Sequence, residues 1–187
     1  MRAFIAIALP DAVHAALAQA QSDLRSACRD ARWTRPEGIH LTLKFLGEIS
    51  DAQTKQVVEA LIAMGHFDPF RVEVTGFGFF PQANRPRVFW AGVVAPPALA
   101  ELAGRVEAAM EKTGFAREER SYSPHLTLAR FPVPRVQPAL QSAVATRATE
   151  SLGKFVASEF FLFESKLSPQ GAQYRKVMRF PRAVVSG

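Results

Sequence analysis

One cysteine, Cys28, stands alone in 187 residues. No internal disulfide can form, and one thiol by itself makes no metal framework. That suits a reducing compartment, and the cytoplasm is the expected location. Long hydrophobic runs are also missing. The N-terminal "RAFIAIAL" halts at Pro10 and Asp11, too short to span a bilayer and without the layout of a signal peptide, so it reads as a first strand and no membrane partner is expected. Neither a low-complexity tract nor a long linker interrupts the chain. What remains is 48% hydrophobic, enough for one well-buried core and short for two. A single domain over residues 1–187, acting as a monomer, is the expectation.

Acidic residues are outnumbered, 17 against 23 basic, for a net charge of +6. Seventeen of the basic residues are arginine, whose planar fork matches phosphate oxygens. A polyanionic partner fits this balance, nucleic acid first. So does a soluble basic protein from an arginine-favouring genome, and charge alone does not separate the two.

Strands and helices alternate along the chain. Asp11 opens a stretch of helix formers that breaks up near Cys28. "GIHLTLKFL" alternates like a strand. Ser50 with Gln53 forms a capping box ahead of a stripe at Val57, Val58, Leu61 and Ile62. "FRVEVTGFGFF" and "RPRVFWAGVV" read as strands around the turn-rich "PQANRP". Pro96 and Pro97 precede a helix with Leu99, Leu102, Val106 and Met110 on one face. The loop "REERSYSP" leads into "HLTLARF", and a weaker helix runs from Pro138 to about Ala148. "KFVASEFFLFESKLSPQGAQYRKVMRF" reads as a hairpin turning at "SPQGAQ". Each half carries a helix, a histidine strand and another helix, which gives an α/β or α+β architecture of two similar lobes.

Histidine is scarce, four in all, yet two of them open the same tetrapeptide: "HLTL" at His40 and again at His125. In a strand, residues i and i+2 share a face. His40 and Thr42 therefore point one way and Leu41 and Leu43 the other; His125 and Thr127 repeat the pattern against Leu126 and Leu128. The leucines suit helix packing. The polar pairs need another setting, because a buried imidazole or hydroxyl without a partner costs roughly 1–3 kcal/mol. A wet cleft between the lobes satisfies all four. A lone copy would be read as a structural strand; two copies in matching surroundings point to a site.

Two imidazoles near neutrality can divide the work of proton transfer, one taking a proton from water and one giving a proton to a leaving oxygen. The threonine hydroxyls would donate to the non-bridging oxygens of a phosphate between them, as phosphodiester hydrolysis requires. Rival chemistries fit less well. Zinc needs three or four ligands, and neither motif has a carboxylate or third histidine beside it; Glu48 lies eight residues beyond His40. The strand-turn-helix serine motif of nucleophilic hydrolases is lacking. Cys28 reads as buried and inert. No metal and no cofactor is expected.

Two His-x-Thr-x motifs in a basic chain of this length resemble the two-histidine phosphoesterase superfamily. Within it, "RAFIAIALP", "RWTRPEGIHLTLKFLGEIS", "RPRVFWAGV" and "YSPHLTLAR" are most similar to bacterial and archaeal RNA 2′,3′-cyclic phosphodiesterases, also called 2′-5′ RNA ligases. The resemblance implies a bilobal α+β fold with pseudo-symmetric lobes of antiparallel sheet, outer helices and a central cleft. It implies opening of RNA 2′,3′-cyclic phosphate ends to a 2′-phosphate, with joining of RNA ends through a 2′-5′ linkage as the reverse chemistry. It assigns proton donation to His40, proton acceptance to His125 and phosphate binding to Thr42 and Thr127; the two strands alone are too alike to tell donor from acceptor.

Arg130 occupies a position where the family has a phosphate-contacting base, although ideal strand parity puts it on the face opposite His125. The matching residue in the first half is Phe45, a candidate for stacking an unpaired base, with burial in the core as the competing reading. Trp90 reads as core packing, His14 as a surface or interfacial residue, and His66 has no partner motif. Trp33, Arg35, Arg85 and Arg87 are candidates for the cleft mouth or RNA contact, with plain solvation or packing as the alternative. Two other functions fit the chain: a phosphodiesterase for small cyclic phosphates or 2′-5′-linked oligonucleotides, and a non-catalytic RNA-binding module.

Overall fold

The computed structural model describes residues 1–168 and 171–181. Among these described residues nine strands and four α-helices follow in the order β1 (Arg2–Ile7), α1 (Asp11–Leu24), β2 (Arg32–Trp33), β3 (Leu41–Glu48), α2 (Asp51–Ala63), β4 (Phe70–Phe80), β5 (Val88–Val94), α3 (Pro97–Lys112), β6 (His125–Arg130), α4 (Pro138–Ala145), β7 (Ser151–Ala157), β8 (Phe160–Ser168) and β9 (Gly171–Phe180). The local signals work as expected. Ser50 Oγ accepts from the Gln53 amide while the Gln53 side chain accepts from the Ser50 amide, closing the capping box of α2. Leu99, Leu102, Val106 and Met110 are all buried along α3. On α2 the stripe is narrower than expected: Val57 and Leu61 are buried and Ile62 is exposed.

The strands form two antiparallel sheets, β3-β1-β8-β9 and β2-β6-β5-β4-β7. Each sheet holds one histidine strand, so the fold is a bilobal α+β arrangement around a cleft, as the resemblance implied. The lobes are not the two halves of the chain, however. β4, from the first half, pairs in the second sheet, and β8 and β9 return to complete the first. Helices cross over too: α1, which follows β1, packs on β7, while α3, which follows β5, packs on β3. The C-terminal hairpin reading is therefore half right. β8 and β9 pair from Phe160–Phe180 to Ser168–Gly171, but "KFVA" belongs to β7 in the other sheet. Pro169 and Gln170, at the expected turn, lie outside the described residues. One apolar core runs through both sheets and the helices, and a smaller cluster of Phe4, Ala6, Phe161 and Phe163 covers the opposite face of the first sheet.

Each histidine strand contains a β-bulge at the same place. On β3, Ala6 pairs with Thr42 but its neighbour Ile5 pairs with Lys44, so Leu43 is an extra residue. On β6, Trp90 pairs with Thr127 and Phe89 with Ala129, which leaves Leu128 extra. Two successive residues then turn inward, Leu43 with Lys44 and Leu128 with Ala129, all buried. A bulge shifts the face of every residue after it. Phe45 and Arg130 thereby come to the same face as the threonines, opposite Phe4 and Val88 respectively.

The shift drives Lys44 into the interior, where it is 3% exposed. Its ammonium donates to Glu107 on α3 at 2.6 Å and to the Ala116 carbonyl at 2.9 Å. Glu107 also accepts from the Glu118 amide at 3.0 Å, tying the loop after α3 to the same carboxylate. Removing one partner of a buried pair leaves an uncompensated charge, so Glu107→Ala is expected to cost about 3 kcal/mol. Lys44→Met, which removes the charge itself, should cost clearly less. Urea unfolding of the two variants checks this; an unchanged midpoint for Glu107→Ala would show the pair to be structurally idle.

Candidate active site

Strand pairing places the polar side chains of the second motif in an even row. His125, Thr127 and Arg130 sit opposite Gly92, Trp90 and Val88, at every second residue of β5. All three therefore occupy one face, and Leu126, Leu128 and Ala129 occupy the other at 0% exposure. Strand parity alone had put Arg130 on the wrong face; the bulge at Leu128 brings it round. In the first motif Leu41 and Leu43 are buried and Thr42 is half-buried on the face of Phe4 and Ala6. The expected orientation of both His-x-Thr pairs holds.

The two imidazoles are held in the same way. His40 Nδ1 lies 2.9 Å from the Gly38 carbonyl and His125 Nδ1 2.8 Å from the Ser123 carbonyl, each two residues upstream. A carbonyl oxygen only accepts, so in both rings Nδ1 carries the hydrogen and Nε2 is left as the working nitrogen. Neither threonine hydroxyl has a hydrogen-bond partner in the protein among the described residues. The motifs are tied together directly: Tyr122, three residues before His125, donates its hydroxyl to the Thr42 carbonyl at 3.1 Å. Burial holds the Tyr122 phenol well above its usual range, so it remains a donor across the neutral region.

Their surroundings differ. The His40 ring lies 4.4 Å from Phe163, 5.2 Å from Tyr174 and 5.6 Å from Phe4, centroid to centroid. Tyr174 also covers Gly38, where an added Cβ would come within 2.5 Å of its ring, so a side chain there would push Tyr174 from its place beside His40. Burial among these rings pulls the His40 pKa down from 6.5 to about 4; the Gly38 hydrogen bond opposes this, and His14 and Lys176 add to the lowering. Among the described residues His125 meets a single ring, Phe80 at 4.9 Å, set edge-on.

Several sequence readings change. Phe45 is 63% exposed, which removes the core-packing reading. Trp90 is not core: it shares the face of Thr127, half-buried, with Phe80 at 5.2 Å and its indole lying over Gly78. Trp33 faces the interior instead of the cleft mouth, edge-on to Phe89 at 6.1 Å. Arg35 and Arg85 are exposed, and Arg87 donates to the Pro132 carbonyl. Cys28 is buried, its thiol 3.3 Å from the Gln137 side-chain oxygen, and burial raises its pKa. His14 is a neighbour of the site that sequence missed. Its Nε2 lies 3.1 Å from the Ile39 carbonyl, behind His40, and no spacing rule links a helix residue to a strand so much later in the chain. Among the described residues no three His, Cys, Asp or Glu side chains gather as metal ligands, and no helix is long and apolar enough to cross a membrane.

Because burial disfavours the imidazolium, His40 should stay neutral between about pH 4 and 6.5, where an ordinary histidine becomes charged. An anion beside the ring favours the charged form and should move its titration upward. Ring-proton NMR with and without inorganic phosphate measures both effects. A His40 midpoint at the ordinary value in the free protein would contradict the burial described.

Comparison with known proteins agrees with this geometry. The model of the family described as LigT like Phosphoesterase matches residues 7–90 and again 93–174, one match per half. An RNA 2′,3′-cyclic phosphodiesterase of Archaeoglobus fulgidus is 32% identical, covering 96% of this chain and 99% of its own. The enzyme of the same name from Methanothermobacter thermautotrophicus is 31% identical, over 93% of this chain and 95% of its own. The crystal structure of TT0787 of Thermus thermophilus superposes with a TM-score of 0.78 at 31% identity, covering 96% of this chain and 97% of that one. Escherichia coli LigT complexed with 3′-AMP shares the fold, with a TM-score of 0.75 at 23% identity over 96% of each chain. With both halves matched and relatives aligned over more than nine-tenths of both chains, this chain belongs to the LigT-like phosphoesterase family.

Proposed function

We propose that this protein hydrolyses RNA 2′,3′-cyclic phosphate ends to 2′-phosphates, using His125 as base and His40 as acid. The observation that carries the reading is the matched pair of imidazoles, each with Nδ1 committed to a backbone carbonyl and Nε2 without a hydrogen-bond partner among the described residues, on strands joined through Tyr122. The names of its full-length relatives support the substrate.

In this mechanism the cyclic phosphate lies between Thr42 and Thr127, whose hydroxyls donate to its non-bridging oxygens as charge builds there. Water attacks phosphorus in line with the 3′ oxygen, and its proton passes to His125 Nε2. The P–O3′ bond breaks and His40 Nε2 delivers its proton to that oxygen. Exchange with solvent resets both rings. The depressed pKa of His40 adds a condition: the free protein holds this acid unprotonated, and the negative phosphate must draw the proton in. A 5′-hydroxyl in place of water would give the 2′-5′ joining reaction by the same transfers.

The same reading has Arg130 contacting a phosphate of the RNA and Phe45 stacking a base, supported by their shared face with the motifs and by Phe45's exposure. No step calls on a metal or cofactor. Both motifs come from one chain, so a monomer suffices, and the lone reduced cysteine suits the cytoplasm. A non-catalytic RNA-binding role would have no use for two identically oriented proton-transfer groups.

His40→Ala and His125→Ala should each lower turnover of a cyclic-ended oligonucleotide by ~10²-fold or more, the usual worth of a general acid or base. Wild-type turnover should survive excess chelator, with the phosphate on the 2′ position of the product. Full activity in both variants, or a strict need for added metal, would overturn the mechanism.

A further inference from the structure

The two-residue strand β2 has an elaborate anchorage for its size. Its Arg32 pairs with Arg130 and its Trp33 with Ala129. Immediately after it, the Thr34 amide donates to the Leu128 carbonyl at 2.9 Å. Gln21, buried to 1% exposure on α1, bridges the Thr34 carbonyl at 2.7 Å and the Leu128 carbonyl at 3.0 Å. Trp33 packs inward and its indole nitrogen reaches the Cys28 carbonyl at 3.4 Å. Leu128 is the bulge residue, so β2 and Gln21 satisfy the very carbonyl that the bulge releases from the sheet.

What this anchorage holds in place is an arginine beside an arginine. Directly paired residues share a face and place their Cβ atoms about 5 Å apart, where like charges repel. Both side chains are exposed, and among the described residues neither has a carboxylate within ion-pair distance. Two arginines rooted at paired positions, with no carboxylate to neutralise them among the described residues, offer a fork for an anion. Their place relative to the motif is set by register. Arg130 lies two residues along β5 from the Thr127 position, roughly 7 Å at strand spacing, a distance similar to one stretched nucleotide. Arg32 stands one strand further out, at the sheet edge.

We infer that Arg32, together with Arg130, forms a subsite for an internal phosphodiester of the RNA, next in line from the reacting cyclic phosphate. The subsite makes the enzyme prefer a cyclic-ended oligonucleotide over a cyclic mononucleotide, which has no second phosphate to offer. The assignment rests on the reading that the reacting phosphate sits between Thr42 and Thr127.

Arg32→Ala tests it. For a trinucleotide ending in a 2′,3′-cyclic phosphate, KM should rise about tenfold with kcat kept, the worth of one lost charge-assisted contact. Turnover of a cyclic mononucleotide should change by less than about twofold, because no subsite contact is lost there. Arg32→Lys should fall between, keeping charge without the fork. The thermal midpoint of Arg32→Ala should be unchanged or higher, since a repulsion is relieved. Equal loss on both substrates, no loss on either, or a lowered midpoint would overturn the subsite. A separate arm needs no catalysis: binding of a trinucleotide 2′-phosphate as a function of salt, where losing one phosphate contact lowers the slope of log K by ~0.7. If wild-type protein turns over neither cyclic substrate, the hydrolytic reading fails. An unchanged salt slope for Arg32→Ala sinks the subsite whichever way that result falls.

Discussion

The bulge that follows each threonine decides what the two sheets can present to the cleft. Without it, strict alternation would send Phe45 and Arg130 into the core and turn Lys44 outward. With it, each strand has two neighbouring inward residues and then one more outward one, so the face that begins with histidine and threonine gains a third member. Bulges release a backbone carbonyl from the ladder, and a released carbonyl in a buried place must find another donor. On β6 the Gln21 amide and the Thr34 amide fill that need. On β3 the bulge places a lysine inside, and Glu107 with the Ala116 carbonyl completes it. The site therefore depends on contacts from α1 and α3, each of which packs on the sheet that its preceding strand does not join.

Much of the site was legible in the chain because its geometry is local. Residues i and i+2 of a strand share a face whatever the fold, so His40 with Thr42 and His125 with Thr127 followed from the tetrapeptide alone. The capping box at Ser50 and the stripe on α3 are local in the same sense. The bulges were missed, although a trace of them is present. Leu41 and Leu43 are two apart, but the next buried apolar residue, Leu46, comes three later; among the large apolar residues of the second copy, Leu126, Leu128 and Phe131 repeat that spacing, with the small Ala129 buried between. A break of phase at the same point in both copies is what an inserted residue would leave.

Other features had no such trace. A lysine in a strand ordinarily reads as solvated, and nothing near Lys44 announces Glu107, 63 residues away. Trp90 sits in an apolar strand and Trp33 in a two-residue strand beside Arg32, and only the pairing register tells which one faces the cleft. The assignment of β7 to one sheet and β8 to the other depends on a crossing between lobes, to which hydrophobic pattern is blind.

A duplicated frame raises a problem of direction, since two equivalent histidines give a substrate no reason to bind one way round. The neighbours of the two rings supply the difference. His40 rests among Phe4, Phe163 and Tyr174, which keep it neutral, and its strand carries the exposed ring of Phe45. His125 meets only Phe80 among the rings of the described residues, and its strand ends at Arg130, which pairs with Arg32. An RNA end carries phosphate on one side of its reacting group and has a base to stack. On the proposed reading the phosphate chain follows the arginines, and the base goes to the aromatic side. That orientation, more than any intrinsic difference between the imidazoles, then determines which leaving oxygen comes to which ring. On that reading the acid is made by the substrate: the phosphate to be cleaved is also the charge that lets His40 hold the proton it gives up.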